Sequence, residues 1–176
     1  MAFTVSAGSD INDFNAIIEI PMNEGEVKYE YNKEFRILAV DRFIPTAMRY
    51  PCNYGFILNT LAKDGDPLDV LVIAPVPLQS GALIRVRAVG LMRMEDEVGE
   101  DSKILTFPLV KACREYESIQ SIKDVSPLLL DTIAHFFEHY KDLDLNKWTR
   151  VKGWEDRNVA EKEFQASIRR FEQANS

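Results

Sequence analysis

The chain has 176 residues, 46% hydrophobic and 10% aromatic, a composition that fits one folded domain and excludes a disordered chain. Its 21 Lys and Arg against 28 Asp and Glu leave a formal net charge of −7, which opposes adhesion to nucleic acid or anionic membrane while leaving the chain free to hold cations. The start, MAFTVSAGSDINDF, lacks the basic and apolar parts of a signal peptide, and the longest apolar run, 70–78, is too short to cross a bilayer, so a soluble, cytoplasmic protein is expected.

From residue 16 to about 110 apolar residues recur with a period of two. The segments IIEIP, EVKYEYN, RILAVDRF, DVLVIAP, ALIRVRAVGLM and KILTFPL read as strands separated by Pro, Gly and Asn. None of the gaps holds a helical stretch of roughly 10–15 residues, so a closed or nearly closed β-barrel is favoured over parallel βαβ winding. RYPCNYGFI reads as a Pro-containing bend that presents Tyr50 and Tyr54. Cys52 and Cys113 are far apart and form no CxxC pair, so reduced, packed thiols are expected. After Lys111 the texture becomes helical. SPLLLDTIAHFFEHYKDL (126–143) offers Ser126 as N-cap, Pro127 at the first helical position, and Leu129, Ile133, Phe136, Phe137 and Tyr140 on one face. NVAEKEFQASIRRFEQA (158–174) repeats the spacing with Val159, Phe164, Ile168 and Phe171. The pattern predicts an α+β single domain over 1–176, a barrel carrying two helices.

KDGDPLDVLVIAPV, residues 63–76, crowds Asp64, Asp66 and Asp69 at the mouth of an apolar strand. Two unit charges 4 Å apart repel by ~1 kcal/mol in water and ~4 kcal/mol at an effective dielectric of 20, so converging carboxylates need counter-charge. Gly65 and Pro67 make the turn that aims them, and Asp69 shares a face with Leu71 and Ile73. Oxygen ligands without nearby His or Cys favour Mg²⁺ or Mn²⁺ over Zn²⁺. The spacing alone does not choose between a metal site and a solvated acidic loop. An EF-hand is excluded, because its sixth and twelfth positions would be Asp69 and Pro75 instead of Gly and Glu. A haloacid-dehalogenase nucleophile is also disfavoured, since TLAK precedes the motif and Leu68 follows where Thr or Val belongs.

A second acidic cluster, MEDEVGEDSKI, holds Glu95, Asp96, Glu97, Glu100, Asp101 and then Lys103 between two strands. Alone it is a solvated hairpin tip; beside the first cluster it becomes a candidate second wall of one site. In EVKYEYN, Val27, Tyr29 and Tyr31 point one way while Lys28 and Glu30 point the other. Arg42 stands beside Asp41. Fixed cations among acidic ligands suit an anionic substrate that must meet metals and positive charge together, as a phosphate does.

His135-Phe136-Phe137-Glu138-His139 matches the inverted zinc-peptidase pattern H-x-x-E-H. Against that reading, a third ligand would have to come from the short remainder of the chain, and the two phenylalanines mark a packing face, so core or subunit-contact histidines are favoured. A non-enzymatic OB-type module for single-stranded nucleic acid would want a basic groove with aromatics. The net charge opposes it.

EVKYE, VDRF, YPCNYG, DGDPLDV, EDEVGEDSK and HFFEHYKDL, in this order, resemble the soluble family I inorganic pyrophosphatases of the bacterial, short-chain type. DGDPLDV fits the family signature D-[SGDN]-D-[PE]-[LIVMF]-D-[LIVMGAC] at every place, and the likeness covers roughly residues 15–155. The resemblance implies a five-stranded OB-like closed barrel with flanking helices, and hydrolysis of diphosphate to two orthophosphates by a metal-activated water attacking in line. It implies several Mg²⁺ ions, with Mn²⁺ as a substitute. Carried over by motif, Asp64, Asp69 and Asp101 are ligands of the tightest metal, with Asp69 shared by a second; Asp96 and Asp101 hold one that enters with substrate, and Glu30 serves another. Glu19 matches an outer position. Lys28, Arg42, Lys103, Tyr140 and Lys141 match phosphate-holding groups, Tyr50 and Tyr54 site tyrosines, and Asp66 the general base. By the same likeness His135 and His139 lie in a subunit contact of a homo-hexamer built from two trimers.

Overall fold

The computed structural model describes residues 5–32, 34, 35 and 37–176. Among these residues the chain forms β1 (Phe14–Ile20), β2 (Val27–Asn32), β3 (Ile37–Phe43), β4 (Asn53–Ile57), β5 (Asp69–Val72), β6 (Leu83–Asp96), β7 (Lys103–Pro108), α1 (Pro127–His139), β8 (Thr149–Asp156) and α2 (Arg157–Ala174). The fold is mixed α+β. Six strands join in the order β1-β4-β5-β7-β6-β8, and β1 also pairs with β6, so the pairings of the first five strands return on themselves. β6 makes this possible by its length: it pairs with β1 over Leu83–Val86, with β7 over Val86–Met92 and with β8 over Gly90–Asp96. β2 and β3 form a separate two-stranded ribbon.

Alternate residues of one strand feed two cores, as the period of two requires. Leu71 joins Tyr50, Tyr54, Met92, Phe136 and Phe137 on the α1 side, whereas Val70 and Val72 join Phe14, Ile57, Ala160 and Phe164 on the α2 side. Within the described residues β5 and β7 are the parallel pair, and the connection between them runs through the long strand β6 instead of a helix.

All six expected strands form, although the first residue of RILAVDRF, position 36, lies outside the described residues. Two more were not anticipated. β4 occupies the NYGFI stretch that reads as a bend; all five residues are buried, so no alternation announces it. Its polar Asn53 is wholly enclosed and works as a splice, its Oδ1 accepting from the Met22 and Leu78 amides at 3.0 and 2.8 Å. β8 is rich in charge and bends at Gly153 (φ +124), which hides its pairing with β6 from the pattern.

Both helices fall where the spacing puts them. Ser126 occupies the N-cap of α1, but its side chain makes no capping bond, and the start rests on Pro127 instead. α2 is capped by Asp156, whose Oδ1 accepts from the Asn158 and Val159 amides at 2.8 and 3.2 Å. Its buried face is Ala160, Phe164 and Ser167, with Ile168 packed against it.

β1 and β4 approach so closely at Gly55 that an added Cβ would lie 1.9 Å from the Ile17 carbonyl oxygen. Gly55→Ala is therefore expected to lower stability by more than ~3 kcal/mol, at the upper end for single substitutions, as measured by urea denaturation; a loss within 1 kcal/mol, a size usual for tolerated surface changes, would contradict the close approach.

Candidate active site

The motifs that lie apart in the sequence converge on one cleft of about 330 Å³. The loop between β4 and β5 supplies Asp64 and Asp66, and Asp69 opens β5. The β6–β7 hairpin supplies Asp96, Glu97, Glu100 and Asp101, the β2–β3 ribbon Lys28, Glu30 and Arg42, and the end of α1 Tyr140 and Lys141.

Strand register sets the central contact. In the parallel pair β5–β7, Asp69 is the partner of Lys103; Asp101, two residues before Lys103, reaches the same ammonium. Lys103 Nζ donates to Asp69 Oδ2 at 2.6 Å and to Asp101 Oδ1 at 2.7 Å. Its side chain is 1% exposed, beneath the cleft floor, with the rings of Tyr54 and Phe137 each 5.5 Å away. Burial works against the charged form of Lys103, but the charges of Asp101 and Asp69 more than reverse this and raise its pKa. Asp69 Oδ2 also accepts from the Tyr54 hydroxyl at 2.7 Å. Burial holds Tyr50, Tyr54 and Tyr140 well above the usual phenol value, so all three remain protonated donors. The Tyr50 ring lies 4.5 Å from that of Phe136, tilted by 50°, and the pair forms part of the aromatic wall.

Other lysines sit on other carboxylates. Lys141 Nζ donates to Asp96 Oδ2 at 2.8 Å and lies 3.6 Å from Glu97. Lys28, register partner of Arg42 across the ribbon, pairs with Glu30 and lies 3.5 Å from Asp41. Arg42 bonds Asp41 through Nη1 at 3.0 Å, while its buried Nε–H has no acceptor among the described residues. Such a donor is suited to an incoming oxygen.

The carboxyl groups divide by surroundings. Burial pushes Glu19 up to about 8, against the Tyr31 amide it accepts from at 2.7 Å and with the charges of Asp69 and Glu30 adding to the rise. Burial likewise pushes Asp101 up to about 7 despite Lys103, with Asp69 adding to it, and raises Asp64. Asp96 goes the other way: burial opposes ionisation, but Lys141 and the Val98 and Gly99 amides outweigh it.

Among the described residues no three His, Cys, Asp or Glu side chains stand as a ready-made metal cage. The ammonium of Lys103 instead holds the inner oxygens of Asp69 and Asp101. The donor set nevertheless fits a hard divalent cation. Its ligands are all oxygen, and burial, with neighbouring carboxylates adding to it, makes Asp64 and Asp101 costly to ionise until further positive charge stands beside them.

Asp64, Asp66, Asp69, Asp96, Asp101, Glu19, Glu30, Lys28, Arg42, Tyr50, Tyr54, Tyr140 and Lys141 thus line one cleft, with Lys103 under its floor. His135 and His139 do not line it. They are exposed on α1 with rings 4.8 Å apart, and His139 Nδ1 contacts Asp142 Oδ2 at 2.9 Å. The cleft also has walls outside that set: Lys63, Ser102, Lys147 and Glu163, together with Tyr31, which the alternation in EVKYEYN turns away from Lys28 and Glu30 but which lines the same cleft. Lys63 stands next to the Asp64 turn and its position was a signal; Lys147 and Glu163 arrive only through folding.

A family model described as inorganic pyrophosphatase matches residues 16–172. The inorganic pyrophosphatase of Escherichia coli K12 is 52% identical over 167 residues, covering 94% of this chain and 95% of that protein. The structure of the inorganic pyrophosphatase from Coxiella burnetii superposes with a TM-score of 0.94 at 71% identity, covering 95% of this chain and 99% of the other. That from Helicobacter pylori superposes at 0.92 with 40% identity, covering 97% and 99%. A mixed α+β frame around a cleft of paired carboxylates and lysines is here the frame of a hydrolase. The chain belongs to the inorganic pyrophosphatases, in the short bacterial branch of family I.

Glu19 and Asp101 have folded-state pKa values of about 8 and about 7, above the ~4 of an unfolded carboxyl. Each therefore binds more proton when folded, and the stability it provides is lost as pH rises from ~4 through those values. Groups held low, such as Asp96, act only on the acid side of the unfolded carboxyl value. The midpoint of urea unfolding in EDTA is expected to fall from pH 5 to pH 8. A midpoint that climbs across this window would refute the assignment of buried, poorly compensated carboxyls.

Proposed function

We propose that the chain hydrolyses inorganic diphosphate to two orthophosphates with Mg²⁺, Mn²⁺ serving as a substitute, and that Asp66 is the general base. The observation that carries this reading is the threading of cations among carboxylates in one cleft: Lys103 between Asp69 and Asp101, Lys141 on Asp96, with Asp64 and Asp66 on the adjoining turn. The ring of strand pairings is read as a five-stranded OB-like barrel of one domain, with the ribbon and both helices outside it.

Asp64, Asp69 and Asp101 would hold the tightest cation, with Asp69 shared by a second; Asp96 with Asp101 would hold one that enters with substrate, Glu30 a further one, and Glu19 an outer position. When bound, these cations neutralise the diphosphate oxygens and lower the pKa of water. The chain's own groups do the rest. Lys28, Arg42, Lys141 and Tyr140 would orient the two phosphoryl groups from the cleft walls, whereas Lys103, buried under the floor, would act on them only through Asp69 and Asp101. Asp66, exposed at the mouth, takes a proton from the water that attacks phosphorus. The bond to the bridging oxygen breaks opposite that attack, and charge accumulating on the departing phosphate falls among the lysines and Arg42.

The net charge and the acidic cleft argue against a nucleic-acid partner, and no described helix is long and apolar enough to cross a membrane. The cytoplasm suits this substrate. We also read the exposed face of His135 and His139 as a subunit contact in a homo-hexamer. Sedimentation of the purified chain as a monomer at micromolar concentration would remove that reading.

Purified protein with diphosphate and Mg²⁺ is expected to release two orthophosphates per substrate and to stop on addition of EDTA; absence of release would overturn the function. Asp66→Asn should retain Mg²⁺ binding by calorimetry while kcat drops by the ~10²–10⁴-fold typical of a lost acid–base group. Unchanged turnover would remove Asp66 as base.

A further inference from the structure

The turn that carries Asp64 and Asp66 is poorly supported from within. Gly65 has φ +96, and a Cβ added there would meet nothing within 4 Å. Residues 63–66 are all exposed. Its own bonds are few: the Ala62 amide donates to the Asp66 carbonyl at 2.7 Å, the Gly65 amide to the Ala62 carbonyl at 3.3 Å, and the Asp66 amide to Asp64 Oδ1 at 3.0 Å. Something outside the loop must hold its neck against the rest of the cleft.

α2 does so at Leu61. The Leu61 amide donates to the Ser167 carbonyl at 3.0 Å, and the Leu61 carbonyl accepts from Arg170 Nε at 2.7 Å. Both backbone groups of one residue are thus committed to one helix. The guanidinium has little freedom to wander, because its Nη2 is paired with Glu163 two turns earlier. The helix itself is fixed: Asp156 caps it at the end of β8, Phe164 packs 4.8 Å from Phe14, and Ser167 is fully buried with its hydroxyl bonded to the Phe164 carbonyl at 2.7 Å. Arg170 does not line the cleft, whereas Glu163 does.

We infer that α2 is the strut that sets the position of the Asp64–Asp66 turn through Leu61, and that Arg170 is a positioning residue for the base and a metal ligand. The catalytic half of this inference rests on the diphosphatase reading above; the mechanical half does not. Lys63, which pairs with Glu100 of the β6–β7 hairpin at 2.7 Å, steadies the loop from the opposite side. That pair is largely exposed and contributes little by itself. The Leu61 contacts, one to the Ser167 carbonyl and one from the part-buried Arg170 guanidinium, hold the neck against α2, so loosening them moves the turn, and sub-ångström placement of a base against its water governs rate more than affinity.

The test is Arg170→Met in the full chain, with Arg170→Lys as the conservative counterpart. For Arg170→Met, kcat on diphosphate is expected to fall about tenfold or more, with KM nearly unchanged, on the scale at which small misplacements of reacting groups act. Hydrogen exchange of amides 61–66 should accelerate while β6 keeps its protection. Arg170→Lys should recover part of both effects, since an ammonium can still donate to the Leu61 carbonyl. Wild-type kcat and wild-type exchange at 61–66 in Arg170→Met would overturn the inference. So would exchange that accelerates evenly along the chain with activity tracking the folded fraction, the signature of a merely stabilising residue. If Arg170→Met does not fold, Glu163→Gln, which slackens the Arg170 anchor, is read by the same selective exchange, and no change at 61–66 overturns the proposal. If the wild-type protein releases no orthophosphate, the function reading fails, and the exchange pattern alone still decides whether α2 holds the loop.

Discussion

Lys103 carries a full charge into a place where water cannot reach it. A buried ammonium is tolerated only when it is paired and hydrogen-bonded, and leaving one partner missing costs ~3–5 kcal/mol. Asp69 and Asp101 meet that demand at 2.6 and 2.7 Å, with Tyr54 bonding the same oxygen of Asp69 and two aromatic rings closing the sides. The parallel register of β5 and β7 is thereby tied to electrostatics as well as to backbone bonds. Much of the cleft follows from it. The two carboxylates nearest the floor stand at fixed places, and the aromatic wall from Tyr50 to Tyr140 has to pack around the cation they hold.

From that centre outward the compensation of negative charge becomes uneven. Asp96 has Lys141 and two amides and ionises easily; Asp64, Asp101 and Glu19 are pushed the other way by burial and by the charge of Asp69, which all three share. A cleft in which some acids are satisfied and others are not is a cleft that attracts added cations, and through them a polyanion. The β2–β3 ribbon answers from the opposite side with Lys28 and Arg42. Stability and function therefore pull against each other here: the same crowding that is expected to cost the metal-free protein stability as pH rises would suit it to cationic ligands.

Much of the site was legible because its chemistry is local. DGDPLDV announces itself by three acids around a glycine and a proline before an apolar strand, and the hairpin cluster by its acid density. The helices were legible from spacing, the more so since Phe136, Phe137 and Phe164 are indeed buried. β4 was not, because a strand buried on both faces shows no alternation and Asn53 and Gly55 interrupt its apolar run. β8 was hidden by its charges and by Gly153. Ser126 had the residue type of a cap and took the position, yet its hydroxyl does not make the bond; residue type cannot state a rotamer.

The sequence by itself determined which groups can do chemistry: the carboxylates of the two acidic clusters, the lysines and Arg42 that oppose them, and the two helical faces. Those are properties of residue type and short spacing, written in a few neighbouring positions. Only the tertiary structure decided which cation meets which acid. Lys103 falls beneath the floor and not on its surface because of a strand register, Lys141 reaches Asp96 across a helix end, and α2 grips Leu61 from more than a hundred positions away, through Arg170. Distances between such groups are set by how the chain closes on itself, and no window of sequence contains both partners.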